Sequence, residues 1–311
     1  MTYTNESERP AERSSQSENS VVVGVDGSAS ALHAVRWAAR EAERRGAPLR
    51  LVNVCHLMPV RHPRQISPPA DYQTAVMEQG RHWLAEASAA AQRAVPGLAV
   101  VTDLRSGIAA DVLVAESRTA QLMVLGSRGL GGFTSLLVGS VAVALSAHGQ
   151  CPVVVMHAAT QDGVPPGDGP VVVGVDGSEL SDAALTFAFE AAAARGVPLV
   201  AVHTWLDVNA AGAWAVLPGT IDWTWLQQEE EKLLDERLVA WRDKFPGVEV
   251  RPLVVRDRPD RALLEHAAGA QLIVVGTRGR GTLTGMGLGS VSQTLLHHAE
   301  CPVAVARTDR T

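Results

Sequence analysis

The chain has 311 residues, 46% of them hydrophobic and 19% charged, a composition typical of a globular protein long enough for two domains. The formal net charge of −6 argues against a nucleic-acid or anionic-membrane partner, and no run approaches the roughly 20 apolar residues of a membrane-spanning helix. The three cysteines form no CxxC pair and support no disulfide framework, so we expect a cytoplasmic protein.

The first half of the chain alternates short apolar runs with Ala-rich amphipathic stretches. Residues 1–19 precede this pattern; they are polar and lack the apolar core of a signal peptide, so we interpret them as a disordered tail. Strands are predicted over residues 21–25, 49–54, 98–104, 122–125 and 153–156. Helices are predicted over residues 28–45, 75–95, 111–117 and 140–148. The runs are continuously apolar, which predicts parallel strands covered on both faces.

The second half repeats the first at an offset of 150 residues, and residues 21–28 return unchanged as residues 171–178. Its predicted strands are 171–175, 199–203, 248–255, 272–275 and 303–305, and its predicted helices are 181–195, 227–245, 259–268 and 290–298. Strand–helix alternation predicts a doubly wound α/β fold in each copy. We therefore expect domains over residues 20–158 and 170–308, joined by a Gly- and Pro-containing linker over residues 159–169.

Glycine-rich loops are the most faithfully repeated part of the chain. The motif Gly-x-x-Gly, nine residues, Gly-Ser occurs twice, at Gly126–Gly129 with Gly139-Ser140 and at Gly276–Gly279 with Gly289-Ser290. Glycine lets the backbone approach a ligand, and a helix N-terminus favours an anion. The pattern predicts a phosphate cradle, although glycines that only make tight connections would leave the same pattern.

Several other kinds of site are absent from the sequence. The only lysines are Lys232 and Lys244, so residues 1–231 cannot form a Walker-type loop. Neither Gly-x-Gly-x-x-Gly after the first strand nor Gly-x-Ser-x-Gly occurs, which argues against a dinucleotide enzyme and a serine hydrolase. Two stretches, 57–72 and 206–225, differ most between the halves and are either lids or variable surface loops.

The glycine motif resembles the nucleotide-binding sequence of the ATP-binding universal stress proteins. The opening Val-Gly-Val-Asp-Gly-Ser and the closing Cys-Pro-Val-Val-Val resemble the same family. The resemblance covers nearly the whole chain, twice, so the chain is similar to the tandem members. It implies two Rossmann-like domains of the adenine nucleotide alpha hydrolase type, each a five-stranded parallel sheet of order 3-2-1-4-5. It also implies that segments 151–156 and 301–306 pair with each other as an intramolecular pseudo-dimer, with a homodimer of two chains left open.

The resemblance further implies one ATP per repeat, with Mg²⁺ as its companion. By matching position, the contacts to adenine and ribose in the first repeat are Gly24, Val25, Asp26 and Val54, and the contacts to the phosphates and neighbouring sugar are Leu125, Gly126, Arg128, Gly129, Gly139, Ser140, Val141 and Ala142. The corresponding positions of the second repeat are Gly174, Val175, Asp176 and Thr204, then Val275, Gly276, Arg278, Gly279, Gly289, Ser290, Val291 and Ser292. Thr204 in place of Val54 is the one departure at the adenine contact.

From the residues alone, Asp26 and Asp176 are either ribose or metal contacts or simple turn residues. No Glu or His lies inside the phosphate motifs, so no catalytic residue is assigned. The expected function is therefore that of an ATP-binding regulatory protein in stress adaptation or dormancy, acting on an unidentified protein partner. A slow ATP hydrolase or phosphotransfer enzyme is the first alternative, and a nucleotide-free interaction scaffold is the second.

Overall fold

The structure is a computed structural model that describes residues 19–56, 71–130, 138–157, 167–178, 181–205, 222–279 and 287–307. Most of the predicted tail and linker, and most of the two variable stretches 57–72 and 206–225, lie outside these residues. Among the helices of the described part, none is long and apolar enough to cross a membrane.

Strands and helices alternate through both halves of the chain. The elements of the first repeat are β1 (Val21–Gly24), α1 (Ala29–Arg45), β2 (Leu49–Cys55), α2 (Tyr72–Ala94), β3 (Val100–Ser106), α3 (Ala109–Glu116), β4 (Leu122–Gly126), α4 (Ser140–His148) and β5 (Val153–Met156). The elements of the second repeat are β6 (Val171–Val175), α5 (Ser181–Arg195), β7 (Leu199–Thr204), α6 (Trp223–Lys244), β8 (Val250–Val255), α7 (Pro259–His266), β9 (Leu272–Gly276), α8 (Ser290–His298) and β10 (Val303–Ala306). Each predicted element is present, with its ends shifted by a few residues at most.

Local sequence explains where the first long helix begins and ends. The Ser28 hydroxyl accepts a hydrogen bond from the amide of Ala31 at 3.1 Å, which satisfies one of the unpaired donors at the N-terminus of α1. Gly46 follows the helix in the left-handed conformation, with φ of 60°, and its amide donates to the last turn. These two contacts account for the observed ends of α1.

The strands of the described residues all belong to one ten-stranded sheet. Its order is β3-β2-β1-β4-β5-β10-β9-β6-β7-β8, so each repeat runs 3-2-1-4-5 from its outer edge inward. Neighbours within a repeat are parallel, and only the central pair, β5 and β10, is antiparallel. In that pair Val154 lies opposite Ala304, so the two repeats join through their last strands as expected.

Helices cover both faces of the sheet, and each face has one hydrophobic cluster that runs through both repeats. Helices α1, α2, α5 and α6 contribute to the first cluster, together with Val21 and Val23. Helices α3, α4, α7 and α8 contribute to the second, together with Val22. Successive residues of β1 thus point to opposite covered faces, which is why the strand is continuously apolar.

The two outermost strands do not follow the prediction of full burial. Every residue of β3 and β8 is at least partly exposed, because each strand has a neighbour on one side only. In β3 the exposed edge carries charge: Asp103 accepts from Arg50 on β2 at 2.6 Å, and Arg50 also donates to Glu116 on α3 at 2.6 Å. The apolar runs at these edges therefore belong to half-covered strands.

Helices α1 and α5 meet where the repeats join, and a buried ion pair links them. Glu41 accepts from Arg195 at 2.7 Å, and the two side chains are 2% and 3% exposed, respectively. Glu41 also accepts from Arg45 of its own helix at 2.7 Å. The guanidinium of Arg195 lies 5.6 Å from the Trp37 ring centroid, and that of Arg45 lies 5.1 Å from the Phe187 ring.

Candidate functional site

The order of the strands predicts a crevice at the carboxyl end of the sheet in each repeat. Strands β1 and β4 are neighbours, as are β6 and β9. Between these neighbours the order of the strands reverses, since the chain proceeds outward from β1 to β3 and in the other direction from β4 to β5. Loops that leave adjacent strands at such a reversal diverge and leave a cleft, which is where open α/β sheets bind ligands. The predicted glycine motifs follow these strands in both repeats.

Asp26 ties the two crevice loops of the first repeat together. Its Oδ1 accepts from the amide of Ser28 at 3.1 Å and from the Ser28 hydroxyl at 2.7 Å, within the loop after β1. Its Oδ2 accepts from the amide of Leu130 at 3.1 Å, in the loop after β4. The carboxylate therefore acts first as a clamp between loops that are about a hundred residues apart in sequence.

In the second repeat, Asp176 makes the corresponding contacts within its own loop and lies against Gly279 of the loop after β9. Oδ1 of Asp176 accepts from the amide of Ser178 at 3.0 Å and from its hydroxyl at 2.6 Å. A Cβ atom placed on Gly279 would lie 2.9 Å from Asp176 Oδ2, and one placed on Gly129 would lie 2.4 Å from Asp26 Oδ2. Both distances are shorter than real Cβ contacts, so a side chain at either position would force the carboxylate or the loop after the fourth strand to move.

Two other motif glycines serve the packing of the protein itself. A Cβ on Gly24 would lie 2.5 Å from Leu125 Cδ2, a side chain of the neighbouring strand. A Cβ on Gly126 would lie 2.3 Å from Ser30 Oγ and 2.7 Å from the Ser30 carbonyl carbon, at the start of α1. The missing side chain of Gly126 therefore makes room for the start of α1, and the backbone contact of Gly126 with a ligand stays a prediction. At Gly139 the nearest atom to a Cβ is 3.6 Å away.

The helix after the second glycine motif presents unpaired amides to the crevice. Gly139 is the N-cap of α4, and its own amide donates to the carbonyl of Ser127 at 2.7 Å, which closes the loop. The first intrahelical bond of this turn runs from Val143 to Gly139. The amides of Ser140, Val141 and Ala142 thus have no acceptor within the helix. Gly289 closes the second crevice in the same way, through the Thr277 carbonyl at 2.8 Å.

Some helix starts of the described residues have a side-chain cap, and others, including those of α2, α3 and α7, have none. Ser28 caps α1, and Asp222 caps α6 by accepting from two amides at 3.0 Å. Helices α4 and α8 have no side-chain hydrogen bond at their glycine N-caps and no acidic residue in the first turn. An uncapped helix N-terminus carries a partial positive charge and donors suited to an anion.

The remaining predicted site residues differ in what they can offer a ligand. The side chains of Val25, Leu125, Val175, Val275, Ala142 and Ser292 are buried, and those of Arg128 and Arg278 are exposed. Val54 and Thr204 are half-buried at the ends of β2 and β7, and Gly174 packs against Leu263 as Gly24 does against Leu125. The Ser292 hydroxyl donates to the Gly276 carbonyl at 2.7 Å, so only its backbone remains for a ligand. Ser290 and Val291 begin α8 beside it.

Ser30, Asn53 and His203 were missed by the sequence reasoning. The Ser30 hydroxyl accepts a hydrogen bond from the Arg128 amide at 3.4 Å. Asn53 donates to the carbonyl of Val25 at 2.7 Å, and a ring nitrogen of His203 lies 2.8 Å from the carbonyl of Val175. The only signal for the last two was that a polar residue interrupts an apolar strand in both repeats.

Two repeats of a doubly wound α/β fold, each with a switch point between its first and fourth strands, define a tandem protein of an architecture that binds ligands at that point in other proteins. The sequence profile of the Universal stress protein family matches residues 19–157 and again residues 169–307. The chain therefore belongs to the universal stress protein family.

Curated relatives have the same tandem length. Universal stress protein Rv2005c of Mycobacterium tuberculosis is 41% identical over 293 residues, which cover 93% of this chain and 97% of the relative. Universal stress protein Rv2623 of the same species is 40% identical over 302 residues, with 96% and 99% covered. The crystal structure of a universal stress protein from Archaeoglobus fulgidus superposes with a TM-score of 0.65 at 20% identity and covers 93% of this chain and 98% of its own, which shows the common fold.

Proposed function

We propose that this protein binds one adenine nucleotide, ATP, in each crevice and acts as a regulatory protein of stress adaptation or dormancy. The observation that carries the proposal is an uncapped helix N-terminus beside a glycine loop that lies against an aspartate, an arrangement present in both repeats. An unsatisfied helix start is costly unless a ligand or water completes it. The duplication of the whole arrangement supports a ligand as its purpose.

The phosphates would lie at the start of α4, on the amides of Ser140, Val141 and Ala142. At this position the helix dipole favours the phosphate charge, and Gly139 would contact the ligand. The protein itself leaves space for a Cβ on Gly139, so a bound ligand would explain the glycine there. Arg128 is exposed on the adjoining loop and supplies a guanidinium for the same charge. The corresponding groups of the second crevice are those of Ser290, Val291, Ser292 and Arg278.

Asp26 has capacity for one more partner beyond the clamp. A carboxylate offers about four lone-pair sites, and three donors already use it. A ribose hydroxyl would complete the set, with the base between the ends of β1 and β2 near Val54. No cluster of three or more His, Cys, Asp or Glu side chains lies among the residues described, so Mg²⁺ would be held mainly by phosphate oxygens and water.

A regulatory role fits the crevice better than rapid hydrolysis does. In the described parts of the two crevice loops of the first repeat, the acidic side chain is that of Asp26. Its carboxylate already accepts hydrogen bonds from both loops and so holds them together. A general base needs freedom to accept a proton from water in reach of the phosphate. Ligand-dependent ordering of the two loops would instead change the surface that a protein partner meets.

The nucleotide content of freshly purified protein tests this proposal. Heat release followed by ion-exchange chromatography is expected to give about one ATP per crevice, because the two sites have the same parts. ADP in place of ATP would support the hydrolase alternative. A protein that contains no nucleotide and takes up none from Mg-ATP would contradict the proposal and favour the scaffold.

Asp26→Asn tests the clamp within the first crevice. The asparagine side chain keeps an oxygen that accepts from Ser28 but places its NH2 group opposite the Leu130 N–H. Two hydrogen-bond donors then face each other. Loss of one charge-assisted hydrogen bond, worth about 1.5–3 kcal/mol, is expected to weaken nucleotide binding at this site roughly tenfold or more. Calorimetric titration with ATP measures the change. The untouched second crevice is the internal control, and equal weakening at both sites would contradict the local role.

A further inference from the structure

A tryptophan of α2 lies against the loop that carries Asp26. Gly27 follows this aspartate in the left-handed conformation, with φ of +83°, and a Cβ atom placed on it would lie 2.3 Å from Trp83 Nε1. The indole therefore packs directly on the glycine. Trp83 is half-buried, and it also packs against the first hydrophobic cluster. Its side chain thus joins the core to a loop of the first crevice.

The second repeat supports the matching loop with a different side chain. The position that corresponds to Trp83 is Leu233 of α6, which is 54% exposed. One helical turn later, the guanidinium of Arg237 donates to the carbonyl of Gly177 at 3.0 Å. The position that corresponds to Arg237 in the first repeat is Ala87, which is fully buried. The support has therefore moved by one turn along the helix and changed from an indole to a guanidinium.

The packing of the helices explains this exchange. Helix α2 packs more closely on α1 than α6 does on α5. A small residue such as Ala87 at the contact permits the closer approach of the first pair. In the second repeat the long side chain of Arg237 reaches across, and its Nη2 also lies 3.8 Å from Asp182 Oδ1 on α5. Each repeat thus uses a side chain that can reach its own loop.

The supported glycine lies between two residues of the crevice. Gly27 separates Asp26 from Ser28, whose amide and hydroxyl both donate to the Asp26 carboxylate. The same carboxylate accepts from the amide of Leu130 in the loop after β4. A glycine visits more conformations than any other residue, so ordering it costs more entropy. A contact from a helix that is packed on the core limits this freedom and fixes where the aspartate lies.

We infer that Trp83 and Arg237 are positioning residues, one for each crevice, that hold the loop after the first strand of their repeat in the form that binds nucleotide. The inference rests on the proposed function, and it requires neither side chain to touch the nucleotide. Trp83 holds its loop by packing, and Arg237 holds its loop by a charge-assisted hydrogen bond. The two crevices therefore depend on different chemistry although their glycine motifs are alike.

Exchange of each residue for its counterpart tests the inference. Trp83→Leu introduces the residue found at position 233, and Arg237→Ala introduces the residue found at position 87. Each new side chain is thus one that the matching helix already holds. Calorimetric titration with Mg-ATP is expected to show weaker binding by about fivefold or more, the lower end of usual coupling between sites. The loss should fall on the first crevice for Trp83→Leu and on the second for Arg237→Ala.

Matched backgrounds and controls assign the loss to a crevice. A Gly279→Ala background reports mainly the first crevice, and a Gly129→Ala background reports the second. Glu86 and Glu236 occupy corresponding exposed positions on the same two helices, so Glu86→Ala and Glu236→Ala should leave both affinities unchanged. An Arg237→Ala chain that binds normally in its second crevice would overturn the inference for that residue.

Tryptophan emission separates positioning from a general loss of stability. The difference in emission between the natural chain and Trp83→Leu gives the signal of Trp83. This signal is expected to change with Mg-ATP in the Gly279→Ala background but not in the Gly129→Ala background. Trp83→Phe keeps an aromatic ring beside the loop and is expected to recover most of the affinity that Trp83→Leu loses.

Three results would overturn the role of Trp83. They are equal weakening of both crevices by Trp83→Leu, an emission signal that does not change with nucleotide, and a Trp83→Phe chain that binds no better than Trp83→Leu. Absence of nucleotide from both crevices of the natural chain would instead overturn the proposed function.

Discussion

Gly129→Ala is expected to remove nucleotide from the first crevice and leave the second occupied. The added Cβ would lie 2.4 Å from Asp26 Oδ2, so either the carboxylate or the glycine loop must move. Movement of the carboxylate breaks its bond to the Leu130 amide, and movement of the loop displaces the start of the phosphate site. Overpacking of this kind costs about 1–3 kcal/mol, which corresponds to roughly 5- to 150-fold in affinity.

Heat-released nucleotide and calorimetric titration measure this effect, and the chain offers graded controls. Gly279→Ala places its Cβ 2.9 Å from Asp176 Oδ2, so a smaller loss is expected at the second crevice. Gly247→Ala introduces a Cβ with nothing within 4 Å and should bind normally. Unchanged nucleotide content in Gly129→Ala would show that the ligand lies elsewhere. Gly126→Ala is unsuitable here, because its clash with the backbone of Ser30 would disturb folding.

Glu41→Ala is expected to destabilise the chain by about 3–5 kcal/mol, the usual cost of leaving one partner of a buried ion pair alone. Arg195 is 3% exposed and would keep its charge without the carboxylate that it contacts at 2.7 Å. Urea denaturation followed by far-UV circular dichroism measures the change. Glu43→Ala lies on the same helix at an exposed position and should change stability by about 0.5 kcal/mol or less.

A double replacement distinguishes charge from packing at this interface. Glu41→Leu combined with Arg195→Met removes both charges and keeps apolar volume, so most of the lost stability is expected to return. If the double variant is no more stable than Glu41→Ala, the unpaired charge of Arg195 is not the cause of the loss.

The same carboxylate makes stability depend on acid. Burial alone would raise the pKa of Glu41, but Arg195, Arg45 and Arg44 together hold this pKa below its ordinary value. The folded state therefore binds the proton less tightly than the unfolded chain. The contribution to stability is fully present above the ordinary glutamate pKa of about 4.3 and is lost as the pH falls below it through the lowered pKa. Glu41→Gln should lose less stability between about pH 5 and 3 than the natural chain does.

Much of the architecture could be predicted because it depends on local pattern. Continuous apolar runs and glycine-bounded helices mark the elements, and the exact repetition of residues 21–28 marks the duplication. The exposure of β3 and β8 could not be predicted from the same pattern, because an apolar run looks alike at an edge and in the middle of a sheet. Which strand has one neighbour is decided by topology.

The crevice was predicted as a set of residues but not as a set of roles. The positions of Asp26 and Gly129 are prominent in the sequence, yet their contact joins loops far apart in the chain and is visible only in three dimensions. Gly126 belongs to the same motif, but its lack of a side chain makes room for Ser30. The roles of Asn53 and His203 depend on which backbone carbonyl lies beside the strand, and strand alternation does not contain that information.

The antiparallel junction between β5 and β10 has a consequence for access to the protein. Within each repeat the strands are parallel, so the carboxyl ends of β1 and β4 lie at one edge of the common sheet and those of β6 and β9 at the opposite edge. The two crevices thus open in opposite directions. Ligands bound as proposed would enter from opposite ends of the molecule, and a protein docked over one opening would leave the other uncovered.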